Sequence, residues 1–242
     1  MISENLQLII DSKADMKDAI SEKGIEVEGG LVTYADAIRK IETGDWDGKF
    51  YLLDGMKLRW SDFEYVPSSY SFDLVSDFTD MFANNSELKE LPDIDITRSK
   101  SIHGMCILCS GLERVGNLDT SNCNNVGECF RYCRSLKSLP LLDFTKVTSA
   151  TFFLNNNVNE GELVMTITDL GGFKNLKIDF INSLNYCPNL TTESLMNVIN
   201  NLYDFPSNNS MATRKLQLGE VNLNKLTAEQ KSIAVKKGWI LS

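Results

Sequence analysis

The sequence predicts an α+β solenoid, in which a short array of repeats lies between a small helical N-terminal unit and a C-terminal cap of helices and strands. The first observation is self-similarity at a fixed period: stretches that begin at Met81, Met105 and Cys129 share one pattern and follow each other every 24 residues. Such a period is typical of repeat proteins, whose repeats bury their apolar side against their neighbours. The second observation is that the residues before and after the repeats follow the spacing of helices and strands instead of the 24-residue pattern.

Apolar residues recur in the same slot of each repeat, and we expect them to form three core columns. The columns are Leu88, Leu112 and Leu136; then Leu91, Val115 and Leu139; then Ile94, Leu118 and Leu142. The regular repeats extend from about residue 75 to 150. We assign 151–242 to degenerate repeats and a cap, and the whole of 45–242 to one domain.

Beyond residue 155 the repeat register decays and ordinary helix and strand signals return. The expected elements are a strand at Leu163–Thr168, a helix opened by Thr191, a strand at Leu216–Leu218, a helix with a Thr227 and Gln230 capping box, and a last strand at Trp239–Leu241. Short strands are expected in the aromatic-rich segment 45–74, where they would cover the first repeat.

Residues 1–44 form the predicted N-terminal unit, which begins with a helix. Its apolar stripe has the spacing of a coiled-coil seam and consists of Leu6, Ile9, Met16 and Ile20, interrupted by Lys13. The helix either packs on its own domain or mediates self-association, for which a homotrimer is one arrangement. A short strand is expected at Ile25–Val27.

The cysteines form spacings that could indicate a metal site, because Cys106 and Cys109 are three apart and Cys129 and Cys133 are four apart. The repeat register favours a structural role, since Cys109 and Cys133 share one slot with Asn85. Free cysteine behaves as a small buried hydrophobe. We therefore expect structural thiols, with zinc binding or disulfides as the alternatives.

Each repeat ends in an aspartate followed two residues later by Thr or Ser, at Asp95, Asp119 and Asp143. A ladder of carboxylates could bind calcium, but a calcium site usually needs several converging oxygen ligands. We expect instead a turn in which each aspartate accepts a hydrogen bond from the backbone two residues on.

Composition and motifs argue against several functions. The net charge of −9 is unlike that of nucleic-acid-binding proteins, and no apolar run has membrane-spanning length. The N-terminus shows no secretory signal. The single histidine, His103, and the carboxylate pair Asp93 and Asp95 are weak catalytic candidates, so we predict no enzyme activity, no cofactor and no metal.

Two stretches show the repeat motif most fully: Val75-x-x-Phe78-x-x-Met81-Phe82 with Leu88-x-x-Leu91-Pro92-x-Ile94-Asp95, and Phe130-x-x-Cys133-x-x-Leu136-x-x-Leu139-Pro140-x-Leu142-Asp143. This motif resembles the BspA-like leucine-rich repeat of bacterial surface proteins. It implies a curved solenoid with one short strand per coil and a binding or adhesive role.

The flanking segments are similar to other proteins. Three stretches near the N-terminus are similar to N-terminal segments of bacteriophage fibre and virion appendage proteins: Leu6 to Ile20, Gly24 to Val27 and Tyr34 to Ile38. Three later stretches are similar to the C-terminal end of leucine-rich proteins of phages and prophages: Leu216 to Gly219, Leu226 to Gln230 and Lys237 to Trp239. These similarities imply a virion component assembled in the bacterial host cytoplasm.

Two functions follow as hypotheses. The chain is either a structural or binding component of a phage head or tail fibre or appendage, or a monomeric adhesion or protein-interaction module of the bacterial cell surface. The expected partners are other virion proteins, a host-surface protein or a glycan. The predicted binding surface consists of Lys89, Glu90, Asp93, Glu113, Arg114, Asn117, Lys137 and Ser138. Mixed charge of this kind is also typical of a solvated strand face.

Overall fold

The structure, a computed structural model, describes residues 25–27, 50–52, 54–58, 65–66, 70–156, 165–205 and 214–242. The first elements are short strands that pair with each other. β1 (Ile25–Val27) runs antiparallel to β3 (Met56–Leu58). β2 (Phe50–Tyr51) runs parallel to β4 (Tyr70–Ser71). The strand expected at Ile25–Val27 is therefore confirmed, and it joins residues on both sides of the predicted boundary at 44.

The repeats contribute strands of two residues each, which pair in parallel. They are β5 (Glu90–Leu91), β6 (Arg114–Val115), β7 (Ser138–Leu139), β8 (Leu142–Asp143), β9 (Asp169–Leu170) and β10 (Phe173–Lys174). β5 pairs with β6, β7 with β9, and β8 with β10. The amide of Lys137 donates to the carbonyl oxygen of Glu113 at 3.0 Å and so joins β6 to β7.

A second backbone ladder connects the coils on another side, which we call the arc: residues 78–85, 102–109, 126–133 and 150–156. Its amides donate to carbonyl oxygens 23 residues further along, as from Gly104 to Gly127 at 2.9 Å and from Cys106 to Cys129 at 2.9 Å. Each equivalent residue thus lies beside its counterpart in the next coil.

Backbone with positive φ recurs at matching slots of the arc. The residues are Asp80, Gly104, Glu128 and Phe152 in one slot, and Asn84, Leu108 and Tyr132 in another. This left-handed conformation costs most residues about 1–2 kcal/mol. Its recurrence indicates that hydrogen bonds between coils offset the local cost.

The repeats and the cap share one cluster of buried apolar side chains. The predicted columns are buried, as Leu88, Leu112 and Leu136 are at most 1% exposed. Val115 is the exception, because it is only partly buried and packs against the core from its edge. Toward the C-terminal side, aromatic rings fill the same space, with ring centroids 4.9 to 6.2 Å apart among Phe144, Phe153, Phe173 and Phe180.

The C-terminal cap consists of helices and one strand pair. A 3-10 turn (Leu184–Tyr186) is followed by α1 (Thr192–Asn201), β11 (Arg214–Leu216), α2 (Glu220–Leu223), α3 (Ala228–Lys236) and β12 (Trp239–Leu241). β11 and β12 are parallel. Among the described helices, none is long and apolar enough to cross a membrane.

Several expectations for the cap are confirmed. Thr191 caps α1 by accepting from the amide of Ser194 at 3.1 Å. Thr227 and Gln230 form the predicted capping box of α3. The last strand has the expected bounds, Trp239–Leu241.

Two strand predictions are wrong in position. Residues 165–168 are not strand, although Met165 and Ile167 are fully buried; the strand begins at Asp169, where the backbone meets β7. The strand expected at Leu216–Leu218 lies at Arg214–Leu216, where it pairs with β12. The short helix α2 was not expected.

The predicted apolar stripe, with Leu6, Ile9, Met16 and Ile20, lies outside the described residues. The same holds for the other predictions made for 1–24 and 28–44. The class of the fold, an α+β solenoid, stays a prediction.

Candidate binding face

The register of β5, β6 and β7 gathers the predicted surface residues into one place. We call Lys89, Glu90, Asp93, Glu113, Arg114, Asn117, Lys137 and Ser138 the strand face. Glu90 lies directly beside Arg114 in the parallel pair. The carbonyl oxygen of Lys89 accepts from the amide of Glu113 at 2.8 Å. Residues 24 apart in the sequence are therefore neighbours, and the strand face is continuous over these coils.

Charges of opposite sign pair across the coils of this face. Arg114 Nη2 lies 2.6 Å from Glu90 Oε2, and Lys137 forms an ion pair with Glu113. The hydrogen bond from Lys137 lowers the pKa of Glu113. Because these side chains are largely exposed, water and salt screen the pairs and they add little stability. They do hold the charges of the face at a fixed spacing.

Asp93 has a structural task in addition to its place on the face. Its Oδ1 accepts from the amide of Asn117 at 2.7 Å. Gly116 makes this contact possible, since a Cβ there would lie 2.5 Å from the same oxygen. Asp93 thus binds the backbone at the equivalent position of the next coil, and its carboxylate is not simply presented to solvent.

The aspartates that end each repeat form the predicted turns. Asp95, Asp119 and Asp143 accept from the amides two residues on, at 2.9, 3.0 and 2.8 Å. The hydrogen bonds from Thr97 lower the pKa of Asp95. A general acid of a glycosidase needs a raised pKa, so Asp95 is not suited to that role.

The cysteines are free and buried in the described part of the chain. The Cys109 thiol donates to the carbonyl oxygen of Phe82 at 3.0 Å, and the Cys133 thiol donates to that of Cys106 at 3.0 Å. Burial raises the pKa of Cys133 well above its ordinary value. These contacts confirm the expected structural role. Within the same residues, no group of His, Cys, Asp and Glu could hold a metal ion.

His103 packs between coils. A Cβ on Gly127 would lie 3.0 Å from its Nδ1, and that atom is buried without a hydrogen-bond partner in the described structure. No carboxylate is seen to orient the ring, as the base of a catalytic triad requires. The position therefore supports packing as the role of His103.

A second group of side chains, not predicted from the sequence, lies on the arc. Arg131 has its guanidinium carbon 4.8 Å from the centre of the Tyr132 ring and 4.9 Å from that of Phe152. Leu108 lies beside them and is 42% exposed. The available signal was the change within one slot from Asn84 to Leu108 and Tyr132, where a polar turn residue is replaced by large side chains.

Comparisons of the chain with protein-family models, with curated proteins and with solved structures found no match.

Proposed function

We propose that this chain is a non-enzymatic structural or binding protein of a bacteriophage virion, built as a short BspA-like leucine-rich-repeat solenoid. The observation that carries the proposal is the register of 24 residues, in which Glu90 pairs with Arg114 and Leu91 with Val115. Stacked repeats of this kind provide extended surfaces that bind partners.

The chemistry of the described residues supports binding rather than catalysis. The thiols are buried, the Asp95 carboxylate is held in a turn, and His103 is packed against Gly127. None of these groups is aimed at a shared reaction centre. By contrast, the strand face presents paired charges at a regular spacing.

The virion assignment rests on the flanking segments of the sequence. Leu6 to Ile20 and Lys237 to Trp239 are similar to segments of phage appendage and phage leucine-rich proteins. In this proposal the N-terminal helix assembles or attaches the protein as a homotrimer, and the repeats face another virion protein, a host-surface protein or a glycan.

A monomeric module of the bacterial cell surface is the second candidate. The observation that favours it is the pairing of β1 with β3, which places part of the N-terminal unit against residues 56–58 of the repeat domain. A helix of the same unit could then pack on its own chain and leave no seam for self-association.

The mass of the full chain in solution, measured by light scattering, separates these candidates. We expect a trimer for the native chain and a monomer for the double variant Ile9→Asp with Met16→Asp, because charges in a coiled-coil seam oppose association. The variant Lys13→Asp is the control, since this position is already polar, and it should remain a trimer. A native chain that is monomeric would contradict assembly through this helix and favour the second candidate.

A further inference from the structure

Apolar and cationic side chains separate from the strand face lie on the arc and at the residue that follows one of its segments; Leu108 is exposed and the others are partly buried. We call Leu108, Arg131, Tyr132, Arg134 and Phe152 the arc patch. The amide of Leu108 donates to the carbonyl oxygen of Arg131 at 2.8 Å, so these two coils are in direct contact. Leu108 remains 42% exposed in this contact.

Arg131 organises the patch through both of its terminal amino groups, although its Nε is buried without a partner in the described structure. Its Nη1 donates to Glu128 Oε2 at 2.7 Å and its Nη2 donates to the Tyr132 hydroxyl at 3.0 Å. Its guanidinium lies against the rings of Tyr132 and Phe152. These contacts use one N–H group of each terminal amino group, and with the two ring contacts they hold Arg131, Tyr132 and Phe152 together.

Arg134 is held differently. Its amide donates to the carbonyl oxygen of Tyr132 at 3.0 Å, and its own carbonyl oxygen accepts from Thr166. The Nε atom is buried without a partner, whereas no hydrogen bond or ion pair to the terminal amino groups is seen among the described residues. The stem of Arg134 is therefore packed, while the residue is partly exposed and its terminal amino groups are unpaired within the described residues.

An arginine whose stem is packed and whose terminal amino groups are unpaired is suited to one type of ligand group. The planar guanidinium pairs with a carboxylate through two parallel hydrogen bonds. Since the stem is already immobilised, little further side-chain entropy is lost on binding. The strand face offers no such group, because Arg114 is paired with Glu90 and Lys137 with Glu113.

The surroundings of Arg134 indicate what carries the carboxylate. Tyr132 precedes it by two residues, and Leu108 presents an aliphatic surface on the adjacent coil. Arginine and tyrosine are the residues that most often dominate the binding energy of protein interfaces, where they are surrounded by apolar contacts. We propose that the arc patch binds a protein partner through a carboxylate side chain that lies next to an apolar side chain. This inference rests on the proposed function of the chain as a binding module.

The test is a titration of the full chain followed by two-dimensional NMR of the arginine Nε–H and backbone amide groups. The probe is isovalerate, a carboxylate with a leucine-like tail, and the matched neutral probe is isovaleramide. Isovalerate should shift the Arg134 Nε–H and Leu108 amide signals in a saturable way. Isovaleramide should bind at least about tenfold more weakly, because it has no negative charge and only one acceptor oxygen for the two guanidinium donors.

The variant Arg134→Gln should lose the isovalerate-dependent shift at Leu108, whereas Arg114→Gln on the strand face should keep it. Equal shifts with the amide, or an unchanged response in Arg134→Gln, would overturn the proposal. A response to glucuronate but not to isovalerate would replace the protein partner by an acidic glycan and also overturn it. The readout does not depend on whether the chain is a trimer or a monomer, so its failure is separate from failure of the virion assignment.

Discussion

Gly111 shows how closely neighbouring coils approach each other at the scale of single residues. A Cβ at this position would lie 2.2 Å from the backbone carbonyl oxygen of Ser86 in the preceding coil. Backbone atoms cannot move aside as a side-chain tip can, so only glycine fits this slot.

We therefore expect Gly111→Ala to lower the free energy of unfolding by about 1–3 kcal/mol, the usual cost of overpacking. The measurement is urea unfolding of the full chain followed by circular dichroism. Gly127→Ala is the control, because its Cβ would meet the ring nitrogen of His103 at 3.0 Å, and this side chain can shift. If Gly127→Ala lowered the free energy of unfolding as much as Gly111→Ala does, the explanation by a clash with backbone would be contradicted.

Buried thiols make the stability depend on pH in the alkaline range. Burial raises the pKa of Cys123 to about 12 and raises the pKa of Cys129 well above its ordinary value. In the unfolded chain these thiols ionise near a pKa of about 8.5. The folded chain thus keeps protons that the unfolded chain has lost. The contribution of these thiols to the free energy of unfolding is complete below about pH 8.5. It is lost as the pH rises toward the pKa values that the thiols have in the folded chain.

We expect the free energy of unfolding to fall from about pH 8 to about pH 10, by up to about 1.4 kcal/mol per pH unit for each thiol. Cys123→Val tests the origin of this slope, because Val147 occupies the same slot one coil later and is buried. Urea titrations at several pH values should show a shallower slope for the variant. Identical slopes for the variant and the native chain would exclude Cys123 as a contributor.

Local chemistry decides which residue-scale predictions succeeded. The turn at Asp95 and the burial of Leu112 follow from side chains that act on their own neighbourhood. The positive φ of Leu108, Tyr132 and Phe152 could not be predicted, because such residues rarely adopt it and the compensating hydrogen bonds come from other coils.

At the scale of elements, the cap was easier to predict than the repeats. α3 begins with a capping box and α1 with a threonine cap, and both signals are local. The strands β5 and β6 have only two residues each, so no alternating pattern can develop in them. Their bounds are set by the adjacent coil, as the misplaced strand at residues 163–168 shows.

The end of α1 depends on a side chain from the end of α3. Lys237 Nζ donates to the carbonyl oxygens of Ile199, Asn200 and Leu202 at 3.1, 2.6 and 3.3 Å. Lys237→Met should lower the free energy of unfolding by about 1–3 kcal/mol, because these carbonyl groups lose their donor. Chemical denaturation measures the change. Lys236→Met, at the exposed neighbouring position, should leave stability nearly unchanged, and an equal loss there would contradict the capping role.

At the scale of the whole molecule, the two ladders divide the surface into regions with different chemistry. On the strand face, charges are neutralised between coils, as in the pair of Glu90 with Arg114. At the end of one arc segment, Arg134 has no partner for its terminal amino groups among the described residues, and Leu108 is exposed on the preceding coil. The sequence could indicate the strand face because its residues recur every 24 positions. The signal for the arc patch is weaker, because the residues within one slot differ, as Asn84, Leu108 and Tyr132 do.

The most direct test of the central claim is to locate the protein in phage particles. Particles released by the strain that encodes the chain would be purified by density-gradient centrifugation, washed in high salt, and analysed by mass spectrometry beside the cell-envelope fraction. The account predicts that peptides of this chain sediment with the particles and resist the wash. Peptides found in the envelope fraction and absent from the particles would contradict it.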